Sequence, residues 1–426
     1  MKLETAVQKS VAVFAAVLFF CSAAFAGEVD KLASILAEKG IISYGEAQQI
    51  ITETNEEIRQ KTASGTNSSI PAWIQNIKFS GDIRLRYQSD WAPDVTTRSR
   101  ERLRLRFGFE ARPAENMTAA FGLATSATSS GSDENPTSTN YTFQGFNKAP
   151  IFIDYAYLQY DIQNIGKLSA GKIKGSMATW NIKQLIWDGD INPDGVTLNL
   201  NNRKLGNGFE LFGNIGWLII NGDVQESNSG RPNDMPDVYI LQPGVNYKNG
   251  SFSARAALGY QQFNTKGRAP YGSNATGNYL GDAARYTNLT DFRLINPAAE
   301  IKMSEAVGKY TVKVFGEYVK NLDDSVYKND NEGGLYGITF GDDRISKFGD
   351  WNVTYAGRYL MSFAIPYGLG FSDAYNGRPN VRGYEIGLNF GLTKNTAFAF
   401  NYLNYDLING NKAQQSLAQC DISYKF

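Results

Sequence analysis

Histidine is missing from this sequence, and cysteine is nearly so. The 426 residues include no histidine and two cysteines, Cys21 and Cys420. Without imidazole the chain cannot build a Ser-His-Asp or Cys-His catalytic set, a histidine-ligated zinc site or a histidine proton relay. These absences exclude most familiar enzyme chemistries. We therefore expect no enzymatic activity, no cofactor and no metal ion.

Net charge and long hydrophobic runs are also lacking. The chain has 42 basic and 42 acidic residues, so no overall field favours nucleic acid as a partner. One apolar run, residues 11–26, follows two lysines and ends in the small-x-small motif Ala-Phe-Ala. It predicts a secretory signal peptide at residues 1–26. Cleavage leaves Cys420 as the only cysteine, which excludes an intrachain disulfide in the mature chain.

Residues 27–61 differ in texture from the rest of the chain. Apolar residues recur there at helical spacing, and Ser43 with Glu46 has the pattern of a capping box that opens a second helix. The segment predicts a periplasmic helical hairpin or coiled coil; a trimerisation or cell-wall-binding element is the sharper alternative. Residues 62–72 are rich in Gly, Ser and Thr and predict a linker.

Residues 73–426 alternate between apolar and polar side chains. In the stretch "RLRLRFGF", residues 102–109, the arginines occupy one parity and leucine or phenylalanine the other. In a strand this places all the charge on one face and all the apolar bulk on the opposite face. A water-soluble barrel would have its apolar face inside. Charge inside and apolar bulk outside is favourable only when lipid surrounds the barrel.

The rhythm of turns indicates the architecture. About 16 predicted strands (18 possible) are joined by polar connections that alternate between short turns and long loops. This predicts an all-β fold, a transmembrane antiparallel up-and-down β-barrel with both barrel termini on the periplasmic side. The last strand alternates up to Phe426, which is similar to the terminal signal that the barrel assembly machinery reads.

A family resemblance supports this interpretation. The segment "GKIKGSMATWNIKQLIWDGDINPDGVTLNL", residues 171–200, resembles the "putative porin" family of diderm bacteria, and "IWDGDINPDG", residues 186–195, is its most specific part. The resemblance implies passive outer-membrane transport, often by trimers. It fixes no solute.

Two groups of charged residues are candidates for the pore lining. The first is a set of arginines on the first two strands, and the second is a set of aspartates in a Pro- and Gly-containing segment that cannot be ordinary strand. We expect the acidic segment to fold into the lumen opposite the arginines and to create a transverse field. The residues are Arg84, Arg86, Arg102, Arg104, Arg106, Asp188, Asp190 and Asp194. Two alternatives stay open: the arginines pair only with wall carboxylates, or the aspartates bind calcium.

The functional hypothesis is a porin in the cell outer membrane. Small hydrophilic solutes and ions would diffuse through an arginine-lined pore with a modest anion preference, because the aspartates offset part of the positive charge. The expected partners are outer-membrane lipid, two further copies in a homotrimer, and the assembly machinery through Phe426. The alternatives are a surface-exposed adhesin or ligand-binding barrel, and a substrate-specific channel.

Overall fold

The computed structural model describes residues 37, 43–63, 74, 76–93, 95–126, 137–220, 236–265, 291–323, 329–410 and 414–426. The chain divides into two units, Met1–Gln75 and Asn76–Phe426. The predicted signal peptide, and most of the first predicted helix and of the linker, lie outside the described residues. The two units are described separately below.

The first unit contains helix α1 (Tyr44–Ala63). The amide of Ser43 donates to Oε2 of Glu46 at 2.8 Å, and the amide of Glu46 donates to Oγ of Ser43 at 3.2 Å. These reciprocal bonds confirm the predicted capping box, which satisfies two amides that the first helical turn leaves without partners. None of the helices in the described parts of the chain has the length and apolarity needed to cross a membrane.

Strands dominate the described part of the second unit, with one short helix, α2 (Gly175–Ala178), and a 3₁₀ turn at Tyr375–Gly377. The strands are β1 (Lys78–Ala92), β2 (Val95–Ala114), β3 (Met117–Thr125), β4 (Tyr141–Thr142), β5 (Ile151–Ile162), β6 (Gly166–Lys172), β7 (Asp194–Gly206), β8 (Phe209–Ile219), β9 (Asp237–Asn249), β10 (Phe252–Asn264), β11 (Phe292–Val307), β12 (Tyr310–Asn321), β13 (Glu332–Gly341), β14 (Trp351–Leu360), β15 (Val381–Gly391), β16 (Thr396–Leu407) and β17 (Gln415–Lys425).

Sixteen of the strands in these described residues close into one antiparallel barrel. Each strand pairs with its sequence neighbours, except that β3 pairs with β5, and β1 closes the ring by pairing with β17. The two-residue β4 lies beside β2 at Arg102 and Leu103. The predicted barrel of 16 strands is therefore confirmed. Closure leaves no strand edge exposed, as a lipid environment requires.

Side chains alternate across the barrel wall as the sequence predicts. On β12, Val314 is 49% exposed, whereas Glu317 is 6% exposed on the opposite parity. Val314 lies opposite Ile338 of β13, and Lys313 lies opposite Thr339, so neighbouring strands keep the same faces outward. The exposed apolar residues therefore form an outer surface suited to lipid, with polar groups turned inward.

The two rims of the barrel differ in the length of their connections. Gly81 and Phe426 exchange backbone hydrogen bonds of 3.0 and 3.1 Å, so the first and last strands begin and end at the same rim. At that rim, short turns such as 115–116 and 250–251 join the strands, while the opposite rim carries longer connections, including 173–193 and 361–380. We name residues 173–193 the first luminal segment and residues 361–380 the second luminal segment.

Both luminal segments fold inside the barrel and fill part of it. Leu185 and Ile186 of the first segment and Ile365 of the second are at most 2% exposed. They belong to one apolar cluster that includes inward-facing wall residues such as Phe263 of β10 and Leu335 of β13. The hydrophobic effect therefore fixes both segments against the wall from β8 to β17. The cluster also includes Ala120 of β3 and Tyr157 of β5, but no described residue of β1 or β2 belongs to it.

The assignment of faces predicts the cost of a misplaced charge. Val314 lies two outward positions beyond Tyr310, whose ring packs against Trp351 at 5.1 Å in an interfacial aromatic group. Val314→Arg therefore puts a cation into the apolar band, and we expect it to lower the free energy of unfolding by about 2–4 kcal/mol. Denaturant unfolding in lipid vesicles measures this value.

Thr339→Arg is the matched control. Thr339 lies on the inward face of β13 and lines a polar cavity with Asp342 and Asp343. The same substitution should cost much less there, because water and carboxylates solvate the guanidinium. Equal losses in the two variants would show that the outward face is not in lipid.

Candidate functional site

Five arginines form a ladder on the inner face of β1 and β2. Strand pairing places Arg84 opposite Arg104 and Arg86 opposite Arg102, and it places Arg106 opposite Asp82. We name Arg84, Arg86, Arg102, Arg104 and Arg106 the arginine ladder. Like charges at directly opposite positions repel, so the ladder requires nearby anions.

Wall carboxylates supply part of this compensation. Asp82 accepts hydrogen bonds from Nε of Arg104 at 2.8 Å and from Nε of Arg106 at 2.7 Å. Asp421 of β17 receives a bidentate contact from Arg86, at 2.7 and 2.8 Å. Bidentate charge-assisted contacts of this kind fix the guanidinium plane. The side chain of Arg86 is accordingly buried, at 5% exposed.

The first luminal segment is tethered to the far wall by a buried cation. Arg358 of β14 donates to the carbonyl oxygens of Gln184 and Lys183, both at 2.8 Å, and forms an ion pair with Glu385 at 3.3 Å. The ammonium of Lys183 also bonds Glu385. Because unpaired backbone carbonyls are costly to bury, this arrangement stabilises a non-helical chain inside the barrel.

Trp187 anchors the same segment against β10. Its ring stacks on Phe263 with centroids 5.8 Å apart, and its Nε1 donates to Oε1 of Gln261 at 2.8 Å. A buried indole usually finds such a hydrogen-bond partner. With Trp187 held on this side, the next residues, Asp188 and Asp190, extend toward the arginine ladder.

Asp188 joins the two luminal segments to each other. Its amide donates to the carbonyl oxygen of Leu369 at 2.6 Å, and its Oδ2 accepts from the amide of Ser372 at 2.7 Å. Burial and then the nearby charge of Asp190 raise the pKa of Asp188 to about 7. The next residue of the second segment, Asp373, reaches Nη1 of Arg86 at 3.3 Å. The two hydrogen bonds of Asp188 with the second segment therefore help to position the carboxylate of Asp373 beside Arg86.

Asp190 lies where the open spaces of the lumen meet. Its Oδ2 accepts from Oγ1 of Thr139 at 3.1 Å, and its Oδ1 is 3.8 Å from Nη1 of Arg106. That second contact is an ion pair too long for a direct hydrogen bond. Asp190 lines three cavities of about 320, 400 and 570 Å³.

These cavities expose the ladder to different degrees. The 320 Å³ cavity lies between the ladder at Arg84, Arg86 and Arg104 and the luminal segments at Asp188, Asp190 and Asp373. The 400 Å³ cavity contains Arg106, whose side chain is 35% exposed, compared with 12% for Arg104. Arg102 as a residue is 8% exposed and donates to Gln88. The arginine most available to a passing solute is thus Arg106.

Asp194 occupies a different place from the other two aspartates. It is the first residue of β7, its side chain is 62% exposed, and its nearest cation is Lys172 at 3.9 Å. It does not line the three cavities around Asp190. Within the described residues, no group of three acidic, histidine or cysteine side chains is arranged to hold a metal ion, so the calcium alternative gains no support from the geometry.

Three residues of the site, Asp421, Asp373 and Arg358, differ in how clearly the sequence indicates their roles. Asp421 has a usable signal, since its parity in the last strand opposes that of Cys420 and Ile422. Asp373 lies in a polar loop and offers no such signal. The parity of β14 places Arg358 on the inner face, but the sequence does not reveal which carbonyl groups its guanidinium contacts.

Comparisons with known proteins agree with this architecture. A family model described as "Putative porin" matches residues 94–278 and 278–426. No curated protein matches the chain. The solved structure of OprB from Pseudomonas putida aligns with a TM-score of 0.54 at 9% identity, covering 83% of this chain and 95% of that chain.

Two other solved structures are less similar. The outer membrane channel DcaP of Acinetobacter baumannii gives a TM-score of 0.47 at 15% identity, covering 82% of this chain and 97% of that one. The trimer form of OmpT from Vibrio cholerae gives 0.44 at 10% identity, with 82% and 99% covered. The family match covers most of the chain, and the barrel has the fold of OprB. The chain therefore belongs to the putative porin family and is an outer-membrane channel protein.

Proposed function

We propose that this protein is a passive diffusion channel for small hydrophilic solutes and ions. The observation that carries the proposal is the position of Asp190, which faces Arg106 across 3.8 Å and lines three adjoining cavities. Solutes would cross between the arginine ladder and the luminal segments. The apolar cluster on the opposite side of the lumen would exclude water from the remaining cross-section.

The field across this passage is the proposed basis of selectivity. The ladder provides five guanidinium groups on one side, and the luminal segments present Asp188, Asp190 and Asp373 on the other. Asp82 and Asp421 neutralise part of the ladder from within the wall. A modest anion preference follows, since the side chain of Arg106 is 35% exposed, compared with 18% for Asp190 and 20% for Asp373.

The orientation and assembly are also proposals. The short-turn rim with both barrel ends would face the periplasm, as would residues 27–61, and the long connections would face outward. Three copies would assemble in the membrane, after recognition of Phe426 by the barrel assembly machinery. Native mass spectrometry of the full mature chain and of a variant lacking residues 27–61 tests whether that segment contributes to a trimer.

An adhesin or ligand-binding barrel is the alternative from another functional class, and a substrate-specific channel is the nearer alternative. Single-channel recording of the purified protein in planar bilayers separates the diffusion channel from the adhesin. Steady, passive ion conductance supports a diffusion channel, whereas a sealed barrel supports the adhesin.

The exposure of the ladder predicts unequal roles for its members. At a distance of about 8 Å in water a unit charge contributes about 0.5 kcal/mol, or roughly a two-fold change in a permeability ratio. Arg106→Ser should therefore lower the permeability ratio of chloride to potassium by about this factor, as measured from the zero-current potential in a KCl gradient. Asp190→Asn should shift it toward anions.

Arg102→Ser is the matched control within the same strand, because Arg102 is buried against Gln88. It should leave the zero-current potential nearly unchanged. The recordings belong at about 0.1 M salt, where the Debye length is about 10 Å. Equal shifts for Arg106→Ser and Arg102→Ser would contradict the proposed path beside Arg106.

The position of Asp188 predicts a pH-dependent selectivity. With a pKa of about 7, its carboxyl is mostly ionised at pH 8 and mostly neutral at pH 6. The arginines of the same cavity stay cationic across that range, and the chain has no histidine to titrate near neutrality. Anion preference should therefore rise as the pH falls from 8 to 6.

Asp188→Asn removes the titrating group and keeps one oxygen as an acceptor for a backbone amide. The variant should show nearly the same zero-current potential at both pH values. If its pH response matched that of the unmodified protein, another group would be responsible.

A further inference from the structure

The 400 Å³ cavity beside Arg106 carries both signs of charge on one surface. Asp82, Asp154 and Asp190 line it together with Arg106, Lys174 and Lys425. A solute with net charge would be attracted to half of these groups and repelled by the other half. A solute with separated positive and negative groups can interact favourably with both.

Asp154 reaches this cavity because of an irregularity in its strand. Pairing between β3 and β5 runs from Gly122 opposite Tyr155 directly to Leu123 opposite Ile153, which leaves Asp154 as an extra residue. Such a β-bulge re-aims a side chain and is common beside functional sites. Here Ile153 stays 53% exposed on the outer surface, while Asp154 lines the cavity.

The groups of the cavity have room for a further partner. Asp154 accepts a hydrogen bond of 2.7 Å from Nδ2 of Asn192. Oδ2 of Asp190 accepts from Thr139, whereas its Oδ1 is 3.8 Å from Arg106. The ammonium of Lys174 is 33% exposed as a side chain, contacts Glu110 at 3.2 Å and lies 4.3 Å from the ring centroid of Tyr155. Carboxylates and cations are therefore both accessible in one space large enough for a small organic molecule.

We infer that this cavity is a transient binding subsite for zwitterionic solutes of the α-amino acid type, an inference that rests on the proposed channel function. Asp154 and Asp190 receive the ammonium group, and Lys174 and Arg106 receive the carboxylate. The adjoining 570 Å³ cavity shares Asp154 and Asp190 and adds Lys172, so the ammonium keeps its partners while the carboxylate passes from one lysine to the next.

Alanine and lactamide test the subsite, because they are isomers of one formula and only alanine is zwitterionic at neutral pH. Proteoliposomes of the full mature protein are placed in isosmolar solutions of each, and swelling rates are corrected for protein-free vesicles. Alanine should enter faster than lactamide by about two-fold or more, since a unit charge about 8 Å away in water contributes about 0.5 kcal/mol. A ratio of one or less overturns the inference.

Two substitutions locate the effect. Asp154→Asn and Lys174→Gln should each bring the alanine-to-lactamide ratio close to one, with lactamide entry measured in the same vesicles as the uncharged reference. Lys302→Gln is the matched control, because Lys302 is also 33% exposed and also lies 3.2 Å from a carboxylate, that of Asp343. It should keep the ratio of the unmodified protein.

The outcomes separate this inference from the proposed function. If KCl current and lactamide entry persist while the ratio is insensitive to Asp154→Asn and Lys174→Gln, the subsite is wrong and the channel stands. If neither current nor lactamide entry occurs in the unmodified protein, the proposed function fails and the subsite fails with it.

Discussion

The structure depends on the neutralisation of five guanidinium groups that two adjacent strands hold in register. Arg84 opposite Arg104 and Arg86 opposite Arg102 would repel strongly in a wall of low dielectric. Asp82 and Asp421, which belong to the wall itself, neutralise part of this positive charge. The remainder is met from inside the lumen, where Asp373 reaches Arg86 and Asp190 faces Arg106. The positive charge of the β1–β2 wall is thereby matched by Asp190 and Asp373 of the luminal segments, which lie beside it.

The luminal segments combine two kinds of attachment. Leu185, Ile186 and Trp187 bury apolar surface against the far wall, and Arg358 satisfies carbonyl groups that no strand could pair. On their other side the same segments present Asp188, Asp190 and Asp373 to the ladder, and Lys183 and Phe371 line the same cavity. The lumen thus has a packed side and a side with open cavities. In the proposed channel, conduction past these cavities requires that their charges stay nearly balanced, because a strongly bound ion would leave slowly.

Much of the barrel could be predicted from the sequence, and the reason is the period-two alternation. Leu103 and Leu105 face lipid because Arg102 and Arg104 cannot, and this constraint repeats in every strand. Asp421 follows from the same parity once β17 is known to close on β1. The contact of Asp373 with Arg86 spans 287 positions of sequence and depends on how two loops pack, so no local pattern encodes it. Asp194 is the first residue of β7, and its distance from the ladder depends on how the first luminal segment packs, which no local pattern encodes.

The central claim is that solutes pass between the arginine ladder and the first luminal segment. Cysteine accessibility tests it most directly, since Cys420→Ser removes the cysteine of the barrel and the other cysteine, Cys21, lies in the predicted signal peptide. Arg106→Cys, Asp190→Cys and, as an outward-facing comparison, Leu105→Cys are then recorded in planar bilayers while a charged methanethiosulfonate reagent is added. The account predicts a stepwise change in single-channel current for the variants at 106 and 190 and none for the variant at 105. Unchanged current at both 106 and 190, in protein that still conducts, would contradict it.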